Sequence, residues 1–255
     1  MFHHVFIVEK TGICIFHKCF DGMHDHINKD LFSGFFTALF DFSKEMFSNT
    51  YYDFIDLIDF GEKRFIIIED AQVFFIAMID TKDSTIAAFK KLKRFKNSFM
   101  YKYGKILSQW TGRIDDFKGI DELLEKVDKF DRFDYLNPNL LSQLNKTLLE
   151  KKVKYDEIKG ICILTMTGVP QITINITNEL VTAIIKEIEL RWKSRIENIH
   201  KIIFILGSEE STMMQNIKNK IILAVNFKSG TNLGMTDLIM EELVESVKNF
   251  DLKKI

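Results

Sequence analysis

The order of apolar segments is repeated along the chain, and this repetition constrains the fold more than any other feature of the sequence. Short apolar runs between tight turns predict strands, and apolar residues at i, i+3 and i+4 predict amphipathic helices. In the first half, strands are predicted at 2–8, 13–20, 52–60, 64–69 and 73–80, and helices at 30–47, from about 83, and at 120–127. In the second half, strands are predicted at 160–166, 171–176, 202–206, 212–217 and 221–227, and helices at 177–192 and 236–250. Both halves therefore contain the order β-β-α-β-β-β-α. In each half the helix after the second strand has a predicted N-cap, Asp30 in the first half and Thr177 in the second.

A polar segment at 131–154 separates the halves. Within it, Asn137-Pro138 is typical of an N-cap followed by proline at the first helical position, and the leucines that follow have a helical period, so a helix is predicted at 138–152. We expect a first domain at 1–130, a connector at 131–154 and a second domain at 155–255. Strands joined by tight turns and flanked by helices predict an α+β fold of two domains, each with a five-stranded antiparallel sheet.

A short sequence echo favours a duplication. Gly12-Ile13-Cys14-Ile15-Phe16 in the first half is nearly repeated as Gly160-Ile161-Cys162-Ile163-Leu164 in the second. We expect the two pentapeptides to occupy matching places in the two domains.

With this order, the chain resembles the longin and roadblock superfamily of profilin-like domains. The first half is similar to a longin domain in the strand pair 6–9 and 12–20, in the helix that begins Asp30-Leu31-Phe32, and in the segment 110–117 (WTGRIDDF). The second half is similar to a roadblock domain in 160–169, in the helix after Thr177 and in Asn232-Leu233-Gly234, with the helix at Pro138 as the first helix of the roadblock unit.

The resemblance implies a function class. Such domains lack active sites and serve as platforms for small GTPases in regulators of trafficking and signalling. They pair with a copy or a relative through a sheet edge and the central helix, which implies a homo- or hetero-oligomer with other longin or roadblock proteins. The sequence leaves open whether the two halves pair with each other or with another chain.

The helix at 30–47 fits such an interface. Its apolar residues cover about half of its circumference or more, which is wider than the stripe that a surface helix needs to pack on one sheet. The predicted partner interface comprises Phe35, Phe36, Leu39, Phe40, Phe47, Leu180, Ile184 and Ile188.

The charge pattern contains one dense basic run. The net charge of −1 gives no overall field that attracts nucleic acid or membranes, so such a partner would need a local patch. Lys90, Lys91, Lys93, Arg94 and Lys96 form the run on the second helix. A solvated helix face is the favoured interpretation, and a patch for anionic lipid is the alternative. The run lacks the interleaved aromatic residues of single-strand binders, so no nucleic-acid partner is predicted.

Catalytic motifs are not found in the sequence. GxxxxGK[ST], GxSxG, HExxH and GxGxxG are all missing, so we expect neither a GTPase nor another enzyme, and no catalytic residue or cofactor. The segment Gly230–Gly234 could hold an anion, but a turn at the start of a helix is favoured. Cys19, Asp21, His24 and His26 are competent metal ligands, yet two histidines two residues apart in one loop make a poor tetrahedral site. A polar loop without metal is therefore predicted.

Localisation follows from the cysteines and the apolar runs. Three cysteines without CxxC spacing favour a reducing compartment. The longest apolar runs, 65–68 and 73–79, are too short to cross a bilayer. We expect a cytoplasmic protein, with peripheral membrane contact as an option.

The leading functional hypothesis is a non-enzymatic regulatory or scaffold protein that binds a small GTPase in a trafficking- or signalling-type complex. One alternative is a trafficking or coat-adaptor subunit that binds a peptide or anionic lipid. Another is a small-molecule sensor, because antiparallel sheets covered by helices also form such proteins.

Overall fold

A computed structural model describes residues 2–20, 27–47, 56–131, 136–193, 201–205 and 209–250, without the side chains of 47, 129–131 and 193. The chain divides into two compact units, Met1–Phe130 and Asp131–Ile255. Predicted strand residues 52–55 and 206 lie outside the described part.

The first unit contains one five-stranded antiparallel sheet. Its strands have the order β2-β1-β5-β4-β3, so β2 and β3 lie at the edges. Its elements are β1 (His4–Glu9), β2 (Cys14–Cys19), α1 (Lys29–Phe47), β3 (Leu57–Phe60), β4 (Lys63–Glu69), β5 (Val73–Asp80), α2 (Thr85–Leu107), a 3₁₀ turn (Ile114–Phe117) and α3 (Ile120–Asp131).

The second unit has the same strand arrangement, β7-β6-β10-β9-β8. Its elements are α4 (Pro138–Lys154), β6 (Ile158–Thr165), β7 (Pro170–Ile174), α5 (Asn178–Lys193), β8 (Lys201–Ile205), β9 (Ser211–Ile217), β10 (Ile221–Phe227) and α6 (Leu233–Lys248). Two five-stranded antiparallel sheets flanked by helices confirm the predicted α+β fold class.

The first sheet is buried on both faces. Successive side chains of a strand point to opposite faces, and in β5 Phe75 and Ala77 pack with α2 and α3 while Phe74 and Ile76 pack with α1. Antiparallel sheets commonly keep one solvated face and therefore show alternating polarity. Burial on both sides instead explains why β5 is a continuous apolar run.

The second sheet follows the same principle. Ile161 and Ile163 point into a core shared with α4 and α6. Cys162 and Leu164, which alternate with them along β6, are fully buried as well. At β6, both faces of this sheet are therefore withdrawn from solvent too.

Helix α4 is part of the second core. Leu144 and Leu148 are fully buried in the cluster that α6 and the sheet form. Glu242 on α6 accepts hydrogen bonds from Lys151, from Lys154 at 2.8 Å and from the Tyr155 hydroxyl. The segment that we expected to act as a connector is thus grouped by its packing with the second unit.

Helix starts follow capping chemistry, with one correction. The Asn137 side chain accepts from Asn139 N at 2.9 Å, and Thr177 Oγ1 accepts from Leu180 N at 3.3 Å, which confirms both predicted caps. Asp30, however, does not cap α1. Asn28 Oδ1 does so, because it accepts from the backbone N–H groups of Asp30 at 3.0 Å and Leu31 at 3.2 Å.

The pentapeptide echo does not lie at equivalent places, so that expectation was wrong. Gly12 precedes the edge strand β2, whereas Gly160 lies inside β6, which occupies the position of β1 in the common strand order. Gly160 is needed for a local reason: a Cβ there would lie 2.4 Å from the carbonyl oxygen of Asn175. The common strand order, and not the echo, supports a duplication.

Within the described residues, no helix has the length and apolar character required to traverse a lipid bilayer.

Candidate interaction surface

The outer face of α1 carries apolar side chains that the core does not use. Leu31, Phe35, Ala38, Phe42 and Met46, which we call the α1 stripe, recur at helical spacing and share one face. Leu31 is 73% exposed, Phe35 49%, and Phe42 and Met46 59% each. Large side chains exposed singly are ordinary, but a continuous row is typical of an interaction site.

The inner face of the same helix supplies the contacts to the sheet. The Phe32 ring stacks on Phe6 with 3.9 Å between ring centroids, and the Phe40 ring stacks on Phe74 at 4.1 Å. Phe36 is fully buried between them in the same cluster. Because these residues already anchor α1, the α1 stripe is not needed to hold the helix on its sheet.

Phe60 extends the α1 stripe towards the edge of the sheet. It is the last residue of β3, is 49% exposed and lies edge-on to Phe35, with 6.1 Å between the ring centroids. A partner that covers the α1 stripe would therefore meet the edge strand as well.

The structure distributes the predicted interface residues between surface and core. Phe35 is exposed and Leu39 is half-buried. The others are not available on the surface, because Phe36, Phe40, Leu180, Ile184 and Ile188 are buried. The side chain of Phe47 lies outside the described part.

Three exposed members of the α1 stripe were not among the predicted contact residues: Leu31, Phe42 and Met46. The signal for them was present in the sequence, since with Phe35 they recur at intervals of four or seven residues. The wide apolar arc of α1 consists of a core face and an outer face, and the sequence does not show where one ends and the other begins.

The five basic side chains of α2 do not all point to the same side of the helix. Lys91 pairs with Asp128 and its Nζ lies 4.9 Å from the centre of the Phe2 ring, while Lys96 Nζ lies 2.7 Å from Asp70 Oδ2. Lys90, Lys93 and Arg94 are exposed. The five charges therefore do not form one solvent-facing patch, because two of them are turned to the flanks of α2.

The buried thiols are poor nucleophiles. Burial raises the pKa of Cys14 to about 11 and the pKa of Cys162 to about 12. Since the thiolate is the reactive form, both side chains stay protonated near neutral pH and act as small apolar groups.

Histidines of β1 and β2 form a pair. His4 Nδ1 and His17 Nε2 lie 3.0 Å apart, and the His17 ring stacks on Phe6 at 4.4 Å. Burial, with a smaller contribution from the Lys29 charge, lowers the pKa of His17. The ring that accepts this hydrogen bond must be neutral, and the lowered pKa of His17 suits His17 to that role.

The predicted polar loop lies largely outside the described residues, because Asp21, His24 and His26 are not part of them; Cys19 ends β2. Within the described ranges, no cluster of three or more His, Cys, Asp or Glu side chains is arranged to hold a metal ion.

The segment at 230–234 forms a turn at the start of a helix, as favoured from the sequence. Asn232 Oδ1 accepts from Met235 N at 2.8 Å and caps α6, and Thr231 Oγ1 donates to the carbonyl oxygen of Lys228 at 2.8 Å.

Comparison with known proteins gives similarity at the level of the fold. No protein-family model and no curated protein matches the chain. MglB of Myxococcus xanthus is 15% identical over 47% of this chain and 96% of its own, with a TM-score of 0.40. A Roadblock/LC7 domain from Streptomyces avermitilis is 14% identical over 43% of this chain and 92% of its own, with a TM-score of 0.32. A chain in a homology model of the full-length AP-3 complex is 14% identical over 52% and 94%, with a TM-score of 0.34.

Each match spans about half of this chain and nearly all of the other. At these identities and TM-scores the likeness concerns the fold alone and carries no argument about function. The fold assignment itself follows from the strand order and the helix positions of the two units.

Proposed function

We propose that this chain is a non-enzymatic regulatory or scaffold protein that binds a small GTPase through the outer face of α1. The class of partner rests on the longin and roadblock resemblance of the sequence. The place of binding is inferred from the α1 stripe, because it is a continuous apolar row on a helix whose opposite side already packs on the sheet.

The α1 stripe has the chemistry of an interface centre. Aromatic residues and methionine are enriched at the buried centres of protein–protein interfaces, and charged residues are depleted there. Phe35, Phe42 and Met46 supply such side chains, and Phe60 adds a fourth at the sheet edge. The proposal assigns no catalytic residue and no cofactor to the chain.

The test compares two matched double variants of the full chain. Leu31→Ser with Phe42→Ser alters the α1 stripe, and Leu233→Ser with Leu238→Ser alters two exposed leucines of α6, which are 55% and 65% exposed. Neither pair lies in a core, so each double variant should unfold within about 1 kcal/mol of the unmodified protein.

Binding is measured by pull-down and then by titration with the small GTPases of the host, each loaded with GDP or a GTP analogue. We expect one of them to bind, and the α1 double variant to weaken binding at least about tenfold, because truncation of central interface residues costs about 1–2 kcal/mol or more. The α6 double variant should bind normally. Absence of binding by every GTPase in both nucleotide states, or equal binding by the two double variants, would refute the proposal.

A further inference from the structure

Helix α2 has an unusual charge composition. Its 23 residues, TIAAFKKLKRFKNSFMYKYGKIL, contain seven lysines and arginines and no aspartate or glutamate. Its inner face packs on the first sheet through Leu92, Phe95 and Phe99, all fully buried. All compensation of its positive charge must therefore come from other elements.

Ion pairs with neighbouring elements occur on both flanks of the helix. On one flank, Lys91 pairs with Asp128 of α3. On the other flank, Lys96 pairs with Asp70 at 2.7 Å. These two cations are committed within the unit.

The centre of the outer face carries further cations. Lys90, Lys93, Arg94 and Lys105 are exposed and share this face by helical periodicity. Lys90, Lys93 and Lys105 form no ion pair within the described residues. From Lys90 to Lys105 the row is about 22 Å long, at about 1.5 Å per residue.

An aromatic side chain stands in the middle of this row. Tyr101 is 96% exposed and lies between Arg94 and Lys105 on this face. Tyrosine is enriched at the interface between membrane and water, where its ring meets the headgroup region and its hydroxyl meets water. Lysine reaches the same level with its alkyl stem against apolar groups and its ammonium group among the phosphates.

We propose that the outer face of α2, with Lys90, Lys93, Arg94, Tyr101 and Lys105, docks on an anionic membrane surface. Charge complementarity selects anionic headgroups, and the straight row on one helix face matches a flat surface. A single exposed aromatic ring provides no series of stacking platforms, which disfavours single-stranded nucleic acid.

The expected strength follows from the number of cations. Each lysine or arginine near an anionic surface improves binding by about fivefold, which corresponds to roughly 1 kcal/mol. Replacing three of the lysines should therefore weaken binding by about a hundredfold.

The experiment uses co-sedimentation of the full chain with vesicles of phosphatidylcholine alone or with about one-third phosphatidylserine, at millimolar lipid. The test variant carries Lys90→Gln, Lys93→Gln and Lys105→Gln. The control carries Lys118→Gln, Lys146→Gln and Lys220→Gln, three exposed lysines on other segments, so that both variants change the net charge equally.

We expect the protein to bind the anionic vesicles only, and to lose this binding at about 0.5 M salt, where the Debye length falls to a few ångströms. The test variant should lose binding to the anionic vesicles, and the control variant should retain it. Urea unfolding of both variants should match that of the unmodified protein, since all six positions are exposed. The proposal would be overturned if the protein bound neutral and anionic vesicles equally, or if both variants lost binding to the same extent. It would also be overturned if the protein bound single-stranded DNA or an acidic peptide but no vesicles.

Discussion

Replacing Leu144 by alanine tests whether α4 belongs to the second core. Leu144 is fully buried among side chains of the sheet and α6. Large-to-small substitution at such a site costs about 2–5 kcal/mol, from lost burial and from the cavity left behind. With a urea m-value of about 1–3 kcal/mol per M, the unfolding midpoint of the second unit should fall by about 1–2 M.

The assay must report on the second unit alone. The chain has two tryptophans, Trp110 in the first unit and Trp192 in the second. In a Trp110→Phe background, fluorescence during urea unfolding therefore comes from Trp192. The matched control is Leu149→Ala, the same chemical change on the same helix at a side chain that is 43% exposed, and it should alter stability by about 0.5 kcal/mol or less.

The comparison of the two leucines decides the point. If Leu144→Ala and Leu149→Ala shifted the midpoint equally, or if neither shifted it, α4 would not be part of the core that unfolds with Trp192. The helix would then be a connector, as the polar composition of 131–154 suggested.

Three further substitutions test the packing of the two units, Gly34→Ala in the first unit and Gly160→Ala and Glu242→Gln in the second. Gly160→Ala should destabilise the protein by about 1–3 kcal/mol, because its Cβ would lie 2.4 Å from the backbone oxygen of Asn175. Gly34→Ala, at a helical site where a Cβ would meet nothing within 4 Å, should stabilise the protein by up to about 1 kcal/mol. If urea unfolding showed Gly160→Ala to be the more stable of the two variants, the packing described would be contradicted. Hydrogen bonds from Lys151, Lys154 and Tyr155 lower the pKa of Glu242 to about 2, so its contribution to stability is complete above its ordinary pKa of 4.5 and lost as the pH falls towards 2. Glu242→Gln should flatten the acid limb of thermal unfolding between those pH values, and an unchanged limb would show that the carboxylate does not link α4 to α6.

Element order could be read from the sequence because each local signal agreed with the tertiary structure. Apolar runs of strand length, separated by turns, identified strands even where both faces are buried and no alternation remains, as in β5. The caps at Asn137 and Thr177 rest on local chemistry and were predicted for that reason. The cap of α1 was misplaced by two residues, since Asn28 and Asp30 have equally suitable side chains and only the path of the chain distinguishes them.

The orientation of α1 could not be read in the same way. Apolar residues occur on both of its sides, so the pattern does not state which side meets the sheet. Phe36 and Phe40 face the sheet because they pack against rings of strands that are distant in the sequence, Phe65 and Phe74 respectively. Likewise, the pairing of Lys91 with Asp128 joins residues 37 positions apart, and no local pattern predicts it.

The burial of the first sheet on both faces has a consequence for how such a chain can change. In β5, seven of the eight residues are buried, so almost any polar replacement there damages the fold. Polar substitutions on the exposed outer faces of α1 and α2 do not damage the fold in this way. Residues that specify the fold and residues that can specify a partner are therefore separate sets, and the protein can acquire new binding preferences by substitutions on its helices while its strands stay unaltered.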